Sequence, residues 1–390
     1  MVKVLLVGSW HTKHIVRLCG KLGATKREDE ILESFDTSSF YNKRKDIPQG
    51  LDVVYGLKPL FVFRLFMKIP KVRALVKGVA SILTFKLLIR NNNYNLVSFQ
   101  AASPITARLI KIAHKNGIKT HVAPLGSEVI RSNRWQNTKL QYIFRNSDYV
   151  SASTFSDFGR NLIKTYNIPE ERCVVAGYGS DIVTYILHEK SLHTKKELSE
   201  LLDIPYRSYY IACGYCANRE QNHKEILYAL AENKALLPSD YLIVIQLSYG
   251  VFKNELYQEL SDLSKQLELN VYFVRDFLTT EQVVWLRRLI DLFIHVQMTD
   301  ATNASIMEYL LCDTTIINGA WLKYSYLETK GLPYYTCESL EELPQCINRV
   351  LSGKCGKIVK ASEYRSAIAR MKDWNQALER WHNLFQMQTN

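Results

Sequence analysis

Short apolar runs alternate with helix-length connections twice over, and this constrains the 390-residue chain more than any other feature. In the first half, residues 2–7, 53–55, 96–99, 119–124, 149–151 and 173–176 read as strands. Helical patterns separate them at 14–22, 69–90, 103–116 and 154–166. In the second half, residues 209–213, 241–246, 271–273, 292–295 and 314–317 read as strands, with helical patterns around 224–233, 253–267, 280–290 and 305–312. A strand that is apolar along its whole length is covered on both faces, and strands joined by helical crossovers run parallel. Two such series predict an α/β chain of two doubly wound domains, at 1–182 and 205–360. The polar stretch 183–204, which runs up to Ile204-Pro205, reads as the linker, and 361–385 as one long helical pattern within a terminal segment 361–390.

Charge is distributed unevenly. The 50 Lys+Arg and 38 Asp+Glu leave a formal net charge of +12. Residues 53–127 hold twelve of the bases and no acid, so the rest of the chain is balanced. That excludes a uniformly basic coat. Within the window, Leu57, Phe61, Phe63, Phe66, Met67, Val72, Leu75 and Val76 interleave with Arg64, Lys68, Lys71, Arg73 and Lys77. This is the composition of a helix on an anionic membrane surface, where clustered bases contribute roughly 1 kcal/mol each. The same residues also fit an ordinary core helix with a solvated outer face. Nucleic acid is not expected as a partner, because no recognised motif accompanies the charge and the aromatic residues sit among aliphatic ones.

The apolar run ending at Gly8 is too short for a signal peptide, and no run of 18 uncharged apolar residues occurs. Eight unclustered cysteines fit reduced thiols. Together these predict a cytoplasmic protein, peripheral on the inner face of the cell membrane. Cys213-Gly-Tyr-Cys216 has the spacing of a redox motif but follows a mid-chain strand, so a small-residue turn is the alternative.

In open parallel sheets, ligands lie beyond the carboxyl ends of the strands. The segment from Gln297 to Glu308 follows one such end and leads into a helix. Free amides and the helix dipole make this an anion site. Asn303 suits a position of positive φ, and Glu308 could accept hydroxyl hydrogen bonds. The alternative is a helix cap with a solvated Glu308.

The spacing Asp300-x7-Glu308 resembles the acid-x7-Glu motif of GT-B glycosyltransferases of the large retaining, glycogen-synthase-like group. The resemblance implies that Asp300 faces the transferred sugar, Glu308 the donor ribose, and Asn303, Ala304 and Ser305 the phosphates. The usual first acid is Glu followed by a glycine-rich turn, and Asp300 departs from that pattern. After the strand 209–213, Gly214 leads to Arg219 and Lys224, which match a βα loop where the family sets an Arg and a Lys, five residues apart, on the donor diphosphate. Two fixed cations can offset the charge on a departing diphosphate without a metal, so no metal or other cofactor is expected. Asn222-His223 and Leu247-Ser-Tyr249-Gly250 look like the bacterial transferases that add N-acetylfucosamine to a lipid-linked intermediate. Residues 272–282 resemble the strand–turn segment whose backbone, here Arg275 to Phe277, contacts the base.

The first half resembles the family more loosely. Glu128, in Gly126-Ser-Glu128, would orient an acceptor hydroxyl or else pair with Arg131. His11 and His14 would line the cleft or be structural. The resemblance implies two Rossmann-like domains facing across a cleft, with a C-terminal helix that can cross back to the first. It implies transfer, with retention, from a nucleoside-diphosphate sugar to a lipid-linked or polysaccharide glycan such as a capsule or O-antigen. A nucleotide-sugar epimerase on the same scaffold and a non-catalytic polyanion-binding protein are the rival readings.

Overall fold

The computed structural model describes all residues except 42, 45, 59–69, 155, 190–192, 301–303, 330 and 389–390, and omits the side chains of Pro70, Lys71 and Ala361. Arg64, Lys68 and Asn303 therefore lie outside the described residues, as does the side chain of Lys71. The chain divides into two compact units, Met1–Tyr178 with Asn375–Asn390, and Gly179–Trp374.

Among the described residues, the first unit is built on seven parallel strands: β1 (Val2–Gly8), β2 (Glu30–Phe40), β3 (Val53–Leu57), β4 (Leu96–Phe99), β5 (Lys119–Val122), β6 (Tyr149–Ser151) and β7 (Cys173–Val174). Their order is β3-β2-β1-β4-β5-β6-β7. β2 is missing from the sequence reading because it buries polar groups, among them Glu30, Glu33, Ser34, Asp36 and Ser38. Ser38 donates to Asp36, and the others find distant partners, Ser34 accepting from Trp10 Nε1 at 2.9 Å. Glu33 accepts from Tyr94 and pairs with Lys3 at 2.9 Å, Asp36 accepts from the amide of Trp10 at 3.1 Å, and Glu30 meets His382 Nδ1 at 2.8 Å. A buried polar group costs little once it is hydrogen-bonded.

The returning segment closes this unit's core. Trp381 is buried against His121, donates to the carbonyl of Gly177 at 2.9 Å, and lies beside His382, which also meets Thr25 Oγ1 at 2.9 Å. The expected single helix over 361–385 is instead two, Arg365–Lys372 and Trp374–Gln386. Asp373 between them is extended (φ −70°, ψ 127°), and its carboxylate is held by Thr184 at 3.1 Å and His188 at 3.2 Å.

Among the described residues, the second unit has six parallel strands: β8 (Tyr209–Cys213), β9 (Tyr241–Gln246), β10 (Val271–Val274), β11 (Leu292–His295), β12 (Thr315–Gly319) and β13 (Tyr335–Cys337), in the order β10-β9-β8-β11-β12-β13. Strand residues alternate between two cores, as a period of two requires. Tyr210, Ala212, Leu242, Val244, Phe293 and Ile316 face helices that include Thr280–Leu289 and Ala304–Leu311. Ile211, Cys213, Ile243, Ile245, Ile294 and Ile317 face helices that include His223–Glu232 and Lys253–Gln266. Burying each of these aliphatic side chains contributes about 1.5–3 kcal/mol. Residues 183–204, read above as a linker, hold most of the helix Asp181–His188 and all of Lys195–Leu201, whose Val183, Ile186 and Leu198 join the first of these cores. No described helix is long and apolar enough to cross a membrane.

Candidate functional site

Strand order in the second unit reverses between β8 and β11, so a crevice opens at their carboxyl ends. Gly214 leaves β8 at φ +64°, and a Cβ there would lie 2.8 Å from His223 Nε2 and 2.9 Å from Gln221 Oε1. Only glycine meets both demands. The turn is then tied to β11. Asn222, left-handed at φ 56°, starts the helix His223–Glu232 and donates to the carbonyl of Val296 at 2.7 Å. The Tyr215 hydroxyl and Gln221 Nε2 both donate to Gln297 Oε1, at 2.9 and 2.7 Å. Both nitrogens of the buried His223 ring, and Gln297 Nε2, have no partner among the described residues. Burial draws His223 down to about 4, so the ring is neutral near pH 7. Nothing in the spacing of Gln221, Gln297 and His223 marks them for these roles.

Arg219 and Lys224 converge on one carboxylate that the sequence reading passed over. Glu259, on the helix Lys253–Gln266, accepts from Arg219 at 2.6 and 3.1 Å and pairs with Lys224 at 2.7 Å. Hydrogen bonds from Arg219 and then Lys224 hold its carboxyl down at about 2. Arg219 also lies 5.4 Å from the centre of the Phe252 ring. The two cations thus surround a single anion while remaining about half exposed. A phosphate could compete with Glu259 for them.

Asp300 accepts from the Tyr324 hydroxyl, whose ionisation is pushed well up by burial and then by the charge of Asp300. Glu308 is not a solvated helix cap. It is buried and pairs with Arg287 Nε at 3.1 Å, with Ser180 Oγ 3.5 Å from its other oxygen. Arg287 reaches Gln246 Oε1 at 3.2 Å and the Tyr309 hydroxyl at 3.0 Å. Lys372 approaches from the end of the helix Arg365–Lys372. Its carbonyl accepts from the Ser180 amide at 2.8 Å, and burial lowers its ammonium while Asp300 and Glu308 pull it back up. No motif connects Lys372 with two acids more than sixty residues upstream. Ala304 opens the helix Ala304–Leu311, and Ser305 follows it, buried.

The rim of the crevice is apolar. Phe277 beyond β10 is 67% exposed, and Tyr249, Val251 and Met298 are exposed beyond β9 and β11. Arg275 stacks 4.1 Å from the centre of the Tyr257 ring. Gly250 (φ +128°) holds the β9 loop close, where a Cβ would lie 2.6 Å from the carbonyl of Ala217. Cys213 and Cys216 are buried and their thiols pushed up by burial, Cys216 to about 12. That is the opposite of a reactive thiolate, so the turn reading of this motif holds.

In the first unit the order reverses between β1 and β4. His11 and His14 are exposed just after β1. Glu128 does not turn to Arg131. Its Oε1 accepts from the amides of Leu125 (2.8 Å) and Ala102 (3.3 Å), which joins the loops after β5 and β4, and its buried Oε2 has no partner among the described residues. A polar string runs through the sheet. Tyr178 donates to Gln100 (2.9 Å), Gln100 to Ser98 (2.8 Å), and His121 bridges Ser98 (2.8 Å) and Ser151 (2.9 Å). Of the expected membrane-facing bases, Arg73 is exposed and Lys77 half-buried. Among the described residues, no group of three or more His, Cys, Asp or Glu is arranged to hold a metal.

No family model and no curated protein matches the chain. Solved structures match it along its length. HepE of Anabaena, solved with UDP and glucose, is 13% identical with a TM-score of 0.68, covering 99% of this chain and 100% of its own. Sucrose-phosphate synthase of Thermosynechococcus elongatus is 11% identical with a TM-score of 0.71, covering 99% of each chain. The lipopolysaccharide outer core galactosyltransferase WaaB, in its apo form, is 14% identical with a TM-score of 0.65, covering 99% and 100%. The fold is that of the two-domain GT-B glycosyltransferases.

Proposed function

We propose that the chain transfers a sugar from a nucleoside-diphosphate sugar to an acceptor hydroxyl. The observation that carries this reading is the convergence of Arg219 and Lys224 on one anion position beside the crevice, in a fold shared with a protein solved with UDP-glucose. In this reading the donor diphosphate takes over the two cations from Glu259, aided by the amides that open Ala304–Leu311. Phe277 and Tyr249 cover the base. Glu308, fixed by Arg287, receives the ribose, and Asp300, fixed by Tyr324, faces the sugar. Cations already in place stabilise the leaving diphosphate without reorganising.

The stereochemical course is retention, by front-face displacement in which the departing phosphate helps deprotonate the acceptor, and no metal takes part. The acceptor is a lipid-linked or polysaccharide glycan, oriented in the first unit by Glu128 with His11 nearby. An anionic membrane at the inner face of the cell is the partner surface of that unit.

Lys224→Ala tests the diphosphate assignment. Turnover falls on the order of a hundredfold while the fold persists, and wild-type turnover refutes it. A thermal-shift series with UDP-, GDP- and TDP-sugars identifies the donor, since a ligand of the folded state raises Tm. Epimerised sugar nucleotide released from donor alone would establish the epimerase instead.

A further inference from the structure

The helix Pro70–Asn91 carries the chain from β3 to β4 of the first unit. One face of it is core: Val76, Ala80, Thr84, Phe85, Leu88 and Ile89 are buried. The opposite face of a surface helix is normally polar. Here it is not. Leu75, Val79, Leu83 and Leu87 are 68%, 39%, 41% and 39% exposed. A four-residue interval on a helix of 3.6 residues per turn sets them in one slowly turning stripe, about 18 Å long at 1.5 Å per residue. The exposed bases Lys86 and Arg90 lie on this stripe, and no acid occurs anywhere from residue 53 to 127.

We propose that this face lies flat in the headgroup region of an anionic lipid leaflet, its aliphatic stripe at the acyl boundary and its bases among the phosphates. Charge selects the occupant. A second copy of the chain, packed stripe to stripe, would set Lys86 and Arg90 against the same two bases, with no acid on either helix to pair them. An anionic leaflet offers both an apolar boundary and opposite charge. The helix lies in the plane of the interface, since no described helix suits a membrane crossing. This deepens the membrane part of the proposed function and rests on it for the nature of the acceptor alone. It also moves the contact. Lys77 is half-buried, and the burden falls on Leu83, Lys86, Leu87 and Arg90, further along the helix than composition pointed.

Sedimentation of the full chain with phosphatidylglycerol-containing vesicles and with pure phosphatidylcholine vesicles tests this. The chain binds the former, not the latter, and high salt releases it. Lys86→Ala with Arg90→Ala lowers the partition coefficient roughly thirtyfold, about fivefold per base. Leu83→Glu with Leu87→Glu abolishes binding. Circular dichroism and Tm of both variants match wild type, because the altered side chains face outward. Undiminished binding by either variant, or equal binding to both vesicle types, overturns the proposal. So does a dimer in solution that Leu83→Glu with Leu87→Glu dissociates, which would assign the stripe to a second copy. Turnover of free donor in the absence of vesicles reads the catalytic reading separately and is unchanged in both variants.

Discussion

Replacing Arg287 by Ala isolates the buried ion pair beneath the crevice. The side chains of Arg287 and Glu308 are 2% and 4% exposed, and the guanidinium is the one cation paired with that carboxylate among the described residues. Removing it strands a buried charge, which costs about 3–5 kcal/mol. It also leaves Gln246 Oε1 without its donor, for about 1 kcal/mol more. Domain stabilities are about 5–15 kcal/mol, so this one change consumes about a quarter of the margin or more. Denaturant unfolding followed through Trp285, in the same helix as Arg287, measures the loss. The double variant Arg287→Met with Glu308→Gln removes both charges and recovers most of it, because an apolar replacement of a whole buried pair is often neutral. A loss below about 1 kcal/mol in Arg287→Ala would refute the argument that Glu308 depends on this partner. Glu308→Gln alone then separates two roles: a raised donor KM belongs to a ribose contact, and an unchanged KM with lowered stability to a purely structural pair.

His223 makes stability depend on pH. Burial lowers it from 6.5 to about 4, so the unfolded chain takes up a proton that the folded chain refuses. Its contribution is present above the unfolded value and is lost as pH falls from 6.5 towards 4. It amounts to roughly 2 kcal/mol between about pH 7 and pH 5, and His223→Gln flattens that part of the profile; an unchanged slope rejects it. Gly250→Ala forces a side chain into a left-handed backbone facing the Ala217 carbonyl. It costs about 1–3 kcal/mol and shifts Tyr249, so both Tm and the donor-induced rise in Tm fall; an unaltered donor response removes Tyr249 from the site.

Period and spacing made eleven of the thirteen described strands legible, because a strand buried on both faces is apolar in its own right. β2 was hidden because its buried acids and Ser34 are satisfied by Lys3, Trp10, Tyr94 and His382, which no local pattern connects to it. β13, Tyr335-Thr-Cys337, is an edge strand with only Cys337 fully buried, so it shows no apolar run. The break at Asp373 depends on Thr184 and His188, nearly two hundred residues away. At the site, the loops after β8 and β11 announced themselves through Gly214, Arg219, Lys224, Asp300 and Glu308. Their partners Glu259, Tyr324, Arg287 and Lys372 did not, since a side chain recruited from another helix needs only reach and charge, not a motif.

The return of residues 375–390 to the first unit sets an order of assembly. The second unit is one unbroken stretch of chain and can fold as soon as that stretch has left the ribosome. The first cannot. Its core stays open at Glu30, His121 and Gly177 until His382 and Trp381 arrive, and the contact of Glu30 with His382 spans 352 residues. The half of the molecule made first is therefore the half completed last, and through most of synthesis it carries an apolar face with nothing yet to cover it.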